Sequence, residues 1–374
     1  MNFQLTEERQ MLQDSLRRYL SDTISPEALI EATDSETGHS DTLWQGLAEM
    51  GVIGALFTEE QGGFGGAGFD LSVVFEEIGR AGVFEPLIES GVLAGGLLAE
   101  LGGEAQAERI EDIIGGQILA FAHTEPGARY DLEHVETKAV RAGDGWKITG
   151  QKSVVGFAGV AEGFVVTART GGDPSDTDGI SVFFVEPGEG VEIRDYAMNG
   201  GGRAGEVSFD VTVPAEALIG PEGGAWDALE RANARATCAA CAEALGLMET
   251  CRALTVDYLQ SRKQFGKPIG KFQALQHRMA DVLIEIEQAR SAVINLAGHL
   301  ESDRVTRERH VSAAKNLIGR AGRLVAEEAI QMHGGIGMTQ EYALGHFAKR
   351  LVMVDHRFGD TDHHLERFIR LSAA

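Results

Sequence analysis

The segment Phe347–His364, FAKRLVMVDHRFGDTDHH, crowds three histidines (His356, His363, His364) and three aspartates (Asp355, Asp360, Asp362) into its last ten residues. Imidazole and carboxylate are the groups that ligate metals and move protons near neutral pH. The spacing argues against a metal: Gly359 interrupts the run, and no helix face carries His356, His363 and His364 together. If Phe358 ends a helix, residues two away point roughly 200° around the axis, so His356 and Asp360 face away from it. We therefore expect a solvated polar terminus with subunit contacts. Cys238 and Cys241 form a C-x-x-C, but no second pair follows at zinc spacing. The surrounding RANARATCAACAEALG reads as an alanine-rich helix, which makes the two cysteines small packing residues. The glycine-rich EEQGGFGGAGFD is a loop and not a phosphate cradle, since no strand precedes it and no Lys-Ser/Thr follows. No metal site is expected.

The elements that must position such residues follow from periodicity. Residues 1–116 read as an N-terminal helical domain, with Leu5, Leu12, Leu16 and Tyr19 at helical spacing and further apolar helical pieces in TLWQGLAEMGVIG and SGVLAGGLLAELG. Over 117–222 the period becomes two. ILAFAHTEP, KAVRAGDGWKITG, GFVVTAR, GISVFFVEP and GEVSFDVTVP predict a middle β domain, barrel or sandwich, with a hairpin turn at Gly143–Gly145. Over 223–374 Phe272, Leu275, Met279, Val282, Ile286, Ala289 and Val293 step by threes and fours, and Leu247, Cys251, Leu254 and Tyr258 form a similar stripe. That pattern predicts a four-helix bundle. The fold class is α+β in the order helices, sheet, helices.

Composition bounds the partners. With 33 Lys+Arg against 57 Asp+Glu the formal charge is −24, which repels phosphate backbones, so no nucleic-acid partner is expected. No apolar run has transmembrane length, so no membrane partner is expected. MNFQLTEERQMLQDSLRRYL predicts a charged amphipathic helix rather than a signal peptide, and three cysteines suit a reducing, cytoplasmic setting.

AHTEPGA (122–128), ITGQKS (148–153), YLQSRKQFGKPIGKFQ (258–273) and QMHGGIGMTQEY (331–342) together resemble acyl-CoA dehydrogenases over essentially the whole chain. The resemblance implies FAD wedged between the β domain and the C-terminal bundle, in tetramers where each subunit reaches its neighbour's FAD. The reaching residues it implies are Arg262, Phe265, Gln273, Gln331, Gly334 and Gly335, with Thr124 bonding the flavin ring of its own chain. The chemistry suits them: a forked guanidinium for pyrophosphate, and glycines that let backbone N–H groups approach phosphate.

The resemblance also implies α,β-oxidation of an acyl-CoA thioester, in which a glutamate base takes the α-proton and hydride passes to the flavin. Counting from the shared GG-x-G places that glutamate at Phe358. A second branch of the family keeps its glutamate at the position of Ala236. The family's Trp-x-Thr flavin contacts fall on Val154-Val155-Gly156, and Arg129 and Tyr130 stand where small residues are common. Residues for a neighbour's FAD are thus kept, while those for this chain's own flavin and substrate are largely gone. We expect one subunit of an α2β2 enzyme whose partner subunit carries the glutamate, acting on a bulky or dicarboxylic acyl-CoA with electron-transfer flavoprotein as acceptor. Three alternatives stay open: a complete homotetrameric dehydrogenase with a displaced base, a related flavoenzyme that needs no such base, and a flavin-free scaffold.

Overall fold

The computed structural model describes residues 5–373. Helices α1 (Glu7–Thr23), α2 (Pro26–Asp34), α3 (Asp41–Glu49) and α4 (Gly68–Ala81), a π-helix (Leu87–Ala94), α5 (Gly95–Leu101) and α6 (Glu104–Ile114) come first. Strands β1 (Leu119–Ala122), β2 (Lys138–Ala142), β3 (Gly145–Gly156), β4 (Gly163–Arg169), β5 (Ile180–Val185), β6 (Val191–Ala197), β7 (Arg203–Val213) and β8 (Leu218–Ile219) follow. Then come α7 (Trp226–Ser261), the short pair β9 (Lys263–Gln264) and β10 (Lys267–Pro268), α8 (Gln273–Ala297), α9 (Arg304–His333), α10 (Leu344–Val354) and α11 (Thr361–Ala373). This is the α+β architecture expected: N-terminal helices, a mixed β-sheet domain and a C-terminal helical bundle.

The chain packs as two compact units, one holding 67–83, 237–374 and the residues up to Ile30, the other 31–66 and 84–236. In the first, helix starts are set by side chains: Thr6 Oγ1 accepts the Arg9 N–H, and Asp303 Oδ1 accepts the Thr306 N–H at the start of α9. The α8 stripe lies where its spacing puts it, with Met279, Val282, Ile286, Ala289 and Val293 buried. Helices α4 and α7 cross at Gly79 and Gly246, where a Cβ would meet backbone oxygen at 2.0 Å on either side. Only glycine permits that approach.

In the second unit, strands run in the order β6-β7-β3-β2-β4-β5-β8, with β1 parallel to β4. Ala142 pairs with Gly145 across a two-residue Gly143-Asp144 turn, with Gly143 at φ 63°, as the sequence predicts. β4 is buried along its whole length, its apolar start Gly163–Val166 followed by Thr167 and Arg169, both of which are hydrogen-bonded. Trp146 packs edge-on to Phe183, and Phe164 to Phe209, at the centre of the core. β6, VEIRDYA, has no counterpart in the sequence reading; it is an exposed, charged edge strand, the kind whose alternation is weakest.

One expectation fails here. Phe358 does not end a helix: α10 stops at Val354, and Phe358 sits in the turn before α11 with φ 58°. The helical argument about His356 and Asp360 lapses with it. Nor is this terminus simply solvated, because His364 is 2% exposed and bonded inside the turn.

Candidate functional site

In the β-domain unit, β1 runs on into His123-Thr124-Glu125. Thr124 is exposed, and its hydroxyl makes no hydrogen bond among the described residues. Its neighbours are pinned. Lys152, fully buried on β3, donates to His123 O (3.0 Å), Glu125 Oε1 (2.6 Å) and Thr167 Oγ1 (3.1 Å). The Ser153 N–H donates to Thr124 O at 2.7 Å. Glu125 also accepts from the Thr137 and Glu136 N–H groups. Burial pulls Lys152 down to about 8 against the opposing effect of Glu125, so it remains mostly charged at neutral pH. Burial, reinforced by Lys152, pushes His123 down to about 3.

Past Lys152 the β3–β7 register slips, and Val154 adopts φ 54°, a rare setting for a β-branched residue. Val154 is exposed, and no hydroxyl or ring projects from 154–156. Instead Glu89 of the π-helix lies against Gly156: a Cβ there would meet its Cγ at 2.7 Å. Counting along the chain could not place that carboxylate. No sequence signal marks it: the π-helical turn that holds Glu89, a feature frequent at functional sites, emerges only in the structure. Arg129 is exposed at φ 51°, and its guanidinium lies 5.8 Å from the centre of the Tyr130 ring.

The residues proposed to reach a neighbour's cofactor gather at one end of the other unit. Tyr258 stacks on His333 at 4.5 Å, which joins the ends of α7 and α9. Arg262, just before the β9–β10 hairpin, therefore lies at the same end as Gln331 in the last turn of α9 and Gly334 and Gly335 in the turn that follows it. Phe265, at the hairpin tip, is 90% exposed with φ 52°, and Met338 beyond the turn is 78% exposed. The side chains of Arg262, Gln273 and Gln331 are exposed and make no hydrogen bond or ion pair among the described residues. A Cβ at Gly335 would meet nothing within 4 Å, and its φ is not left-handed, so this chain alone does not require glycine there. An unpaired guanidinium, two amides, bare backbone and uncovered apolar side chains suit a phosphate-bearing aromatic cofactor approaching from outside.

The turn carrying Phe358 is firmly built. Buried Lys315 of α9 donates to Asp355 O (2.9 Å) and Gly359 O (2.6 Å). His364 Nε2 bonds Phe358 O (2.8 Å), Thr361 Oγ1 donates to Asp355 Oδ1 (2.8 Å), and Asn316 to Thr361 O (2.9 Å). Burial, helped by Lys315, pushes His364 down to about 3, so it serves as a neutral hydrogen-bonding group. Beside the turn, Glu243 is 2% exposed and held by Arg350 Nε (2.7 Å) and Arg357 (3.2 Å). Burial opposes its charge, but Arg350 and Arg357 hold it below the usual carboxylate value. Ala236, on α7, is buried.

The C-terminal histidines do not converge as ligands. Among the described residues the groups that gather are Glu125, His134 and Glu136, and Glu125 is already engaged by Lys152 and two N–H groups. Cys238 and Cys241 are buried thiols on α7 that form no disulfide, with burial raising Cys241 to about 12. No described helix is long and apolar enough to cross a membrane.

Three family models match, described as the N-terminal (residues 6–114), middle (120–211) and C-terminal (224–370) domains of acyl-CoA dehydrogenase. A probable acyl-CoA dehydrogenase of Bacillus subtilis, YngJ, is 31% identical over 92% of this chain and 92% of its own. Among solved structures, the ChsE4–ChsE5 complex from Mycobacterium tuberculosis matches with TM-score 0.88 at 27% identity, covering 100% of this chain and 99% of that one. Butyryl-CoA dehydrogenase from Megasphaera elsdenii matches with TM-score 0.91 at 27% identity, covering 100% of both chains.

Proposed function

Since the chain belongs to the acyl-CoA dehydrogenase family, FAD-dependent enzymes of CH–CH oxidation, we propose that it is one subunit of a heteromeric member whose base comes from a partner subunit. The observation that carries this is the Phe358 turn. Its backbone is held by Lys315, His364, Thr361 and Asn316, and the residue that counting from the GG-x-G motif sets at the family's glutamate is phenylalanine. Phenylalanine accepts no proton. Ala236 empties the other position, and Glu243 is committed to two arginines.

FAD, when bound, supplies the two-electron acceptor that CH–CH oxidation needs. Arg262, Gln273, Gln331 and the Gly334-Gly335 backbone would hold the diphosphate end of a neighbour's cofactor, with Phe265 covering an apolar face. Thr124 would donate its hydroxyl toward a flavin on this chain. Exposed Leu283 and Ile284 on α8, beside a groove of about 770 Å³ between α8 and α9, support an assembled form, because apolar groups at that density are normally covered. That one similar structure is a complex of two differently named chains supports the α2β2 form. The acyl group we expect is bulky or dicarboxylic, and the acceptor an electron-transfer flavoprotein.

The test is anaerobic flavin bleaching by acyl-CoA thioesters. The chain is produced alone, then together with a family member carrying glutamate at the Phe358 position. Bleaching and co-elution only in the second case are expected; turnover by the chain alone would overturn the reading.

A second reading has the weight of the named relatives. YngJ and butyryl-CoA dehydrogenase are each named as an enzyme by itself, and both match over nearly their whole length. On that reading this chain is a complete homomeric dehydrogenase. Its base would be a carboxylate displaced from both usual positions, with Glu89 beside Gly156 and buried Glu230 as the two to substitute. A chain that takes up no flavin in any assembly would leave the scaffold alternative.

A further inference from the structure

The sequence suggests that the flavin edge of this chain's own β domain has eroded: Val154 and Gly156 offer neither ring nor hydroxyl. The structure shows that the backbone side of that edge is nevertheless built around one buried cation. Lys152 uses all three of its N–H donors, on His123 O, Glu125 Oε1 and Thr167 Oγ1. Two of these acceptors belong to the residues on either side of Thr124, and the third lies on β4. The next residue along β3, Ser153, bonds Thr124 O through its N–H and Glu206 through its hydroxyl. The bulge that redirects 154–156 begins immediately after. A single ammonium thus registers Thr124 against the strand segment that forms the other wall of the edge.

Stability does not explain such a pair. Lys152 and Glu125 are 0% and 2% exposed at the side chain. Desolvating two charges costs about as much as their attraction returns, and well-packed neutral replacements are often neutral or stabilising. What a fully satisfied buried pair does provide is one geometry.

We propose that Lys152 is a positioning residue, whose ammonium fixes the Thr124 hydroxyl relative to residues 153–156 so that this chain's β domain keeps a flavin edge of its own. The proposal rests on the family reading above. It differs from the loss of own-site function suggested by side-chain types alone.

The experiment measures FAD binding to apoprotein, alone and with its partner, by fluorescence quenching and the shape of the visible flavin band. Melting curves are recorded in parallel. Lys152→Met leaves Glu125 buried and charged, so its melting point falls. Adding Glu125→Gln neutralises the site and returns the melting point to near the wild-type value. The FAD dissociation constant of this double variant stays raised about ten-fold or more, and its flavin band loses the wild-type fine structure. If the double variant regains wild-type FAD affinity along with its stability, Lys152 is only structural and the proposal is overturned. Should the double variant not fold, Thr167→Val decides, since it keeps the shape and removes one acceptor. FAD binding weakened about three-fold or more supports the clamp, and unchanged binding overturns it. Wild-type protein that takes up no FAD in either assembly overturns the flavin reading itself and the clamp with it. Wild type that binds FAD no better than the variants overturns the clamp alone.

Discussion

Glu243→Gln tests whether Glu243 is a structural carboxylate, and its cost can be calculated. Glu243 accepts from Arg350 Nε at 2.7 Å and from Arg357 at 3.2 Å, and is 2% exposed. Removing one partner of a buried pair costs about 3–5 kcal/mol, because the remaining charge stays desolvated. Two features place this site at the low end. Glutamine keeps an oxygen for Arg350, and the Arg357 side chain is 31% exposed and can turn toward water. We expect a loss of about 3 kcal/mol, or roughly 6–12 °C in the thermal midpoint for a unit of 150–250 residues. The pH dependence follows from linkage. Arg350 and Arg357 outweigh burial and hold the folded pKa below the usual carboxylate value of 4.5. A group with a depressed folded pKa contributes stability that is present above its unfolded value and lost as pH falls through the folded one. The gap between wild type and Glu243→Gln is therefore constant at neutral pH and closes only in acid. Melting curves from neutral pH downward measure it. If Glu243 were the displaced base of a complete enzyme, the variant would lose turnover while melting almost unchanged, and that outcome refutes the structural assignment.

Three further outcomes are expected. His39 is buried between Glu85 (2.7 Å) and Asp41 (2.8 Å); burial opposes its charge, but the carboxylates prevail and raise its pKa above 6.5. Its stabilisation is complete below the unfolded value and lost as pH rises through the folded one, so the wild-type urea midpoint declines on alkalinisation more steeply than that of His39→Gln; parallel profiles would contradict this. Arg169 donates to the carbonyls of Glu133, Val135, Pro174, Asp176 and Asp178. Lysine cannot span that fork, so Arg169→Lys should raise proteolytic cleavage and hydrogen exchange at residues 131–137 and 173–179, and unchanged protection would mean the carbonyls have other means of support. Arg262→Ala, at an exposed side chain without partners among the described residues, should leave the stability within about 0.5 kcal/mol of wild type but lower the flavin-to-protein ratio after gel filtration of the chain with its partner; full flavin content would mean Arg262 does not reach a cofactor.

What the sequence settled by itself was local. The threes and fours of Met279 to Val293 mark the buried face of α8 because helical geometry alone puts them there. Gly143-Asp144 closes the β2–β3 hairpin because a two-residue turn needs a positive φ that glycine takes without strain. The motifs around 122–128, 148–153, 258–273 and 331–342 were legible for the same reason, as short runs with fixed spacing. Tertiary structure decided everything that depends on a partner far along the chain. Whether a lysine in ITGQKS is a solvated tail or a buried clamp depends on Glu125 and Thr167, 27 and 15 residues away. Whether Glu243 is an available base depends on two arginines more than a hundred residues on. The C-terminal cluster misled for a related reason: polar residues near a chain end are usually solvated, but here Lys315 offers buried donors to the backbone of the turn, and His364 folds inward to complete it. Charge and hydrogen-bonding capacity are written in the sequence, but whether they are spent on structure or left for chemistry is decided only when distant elements meet.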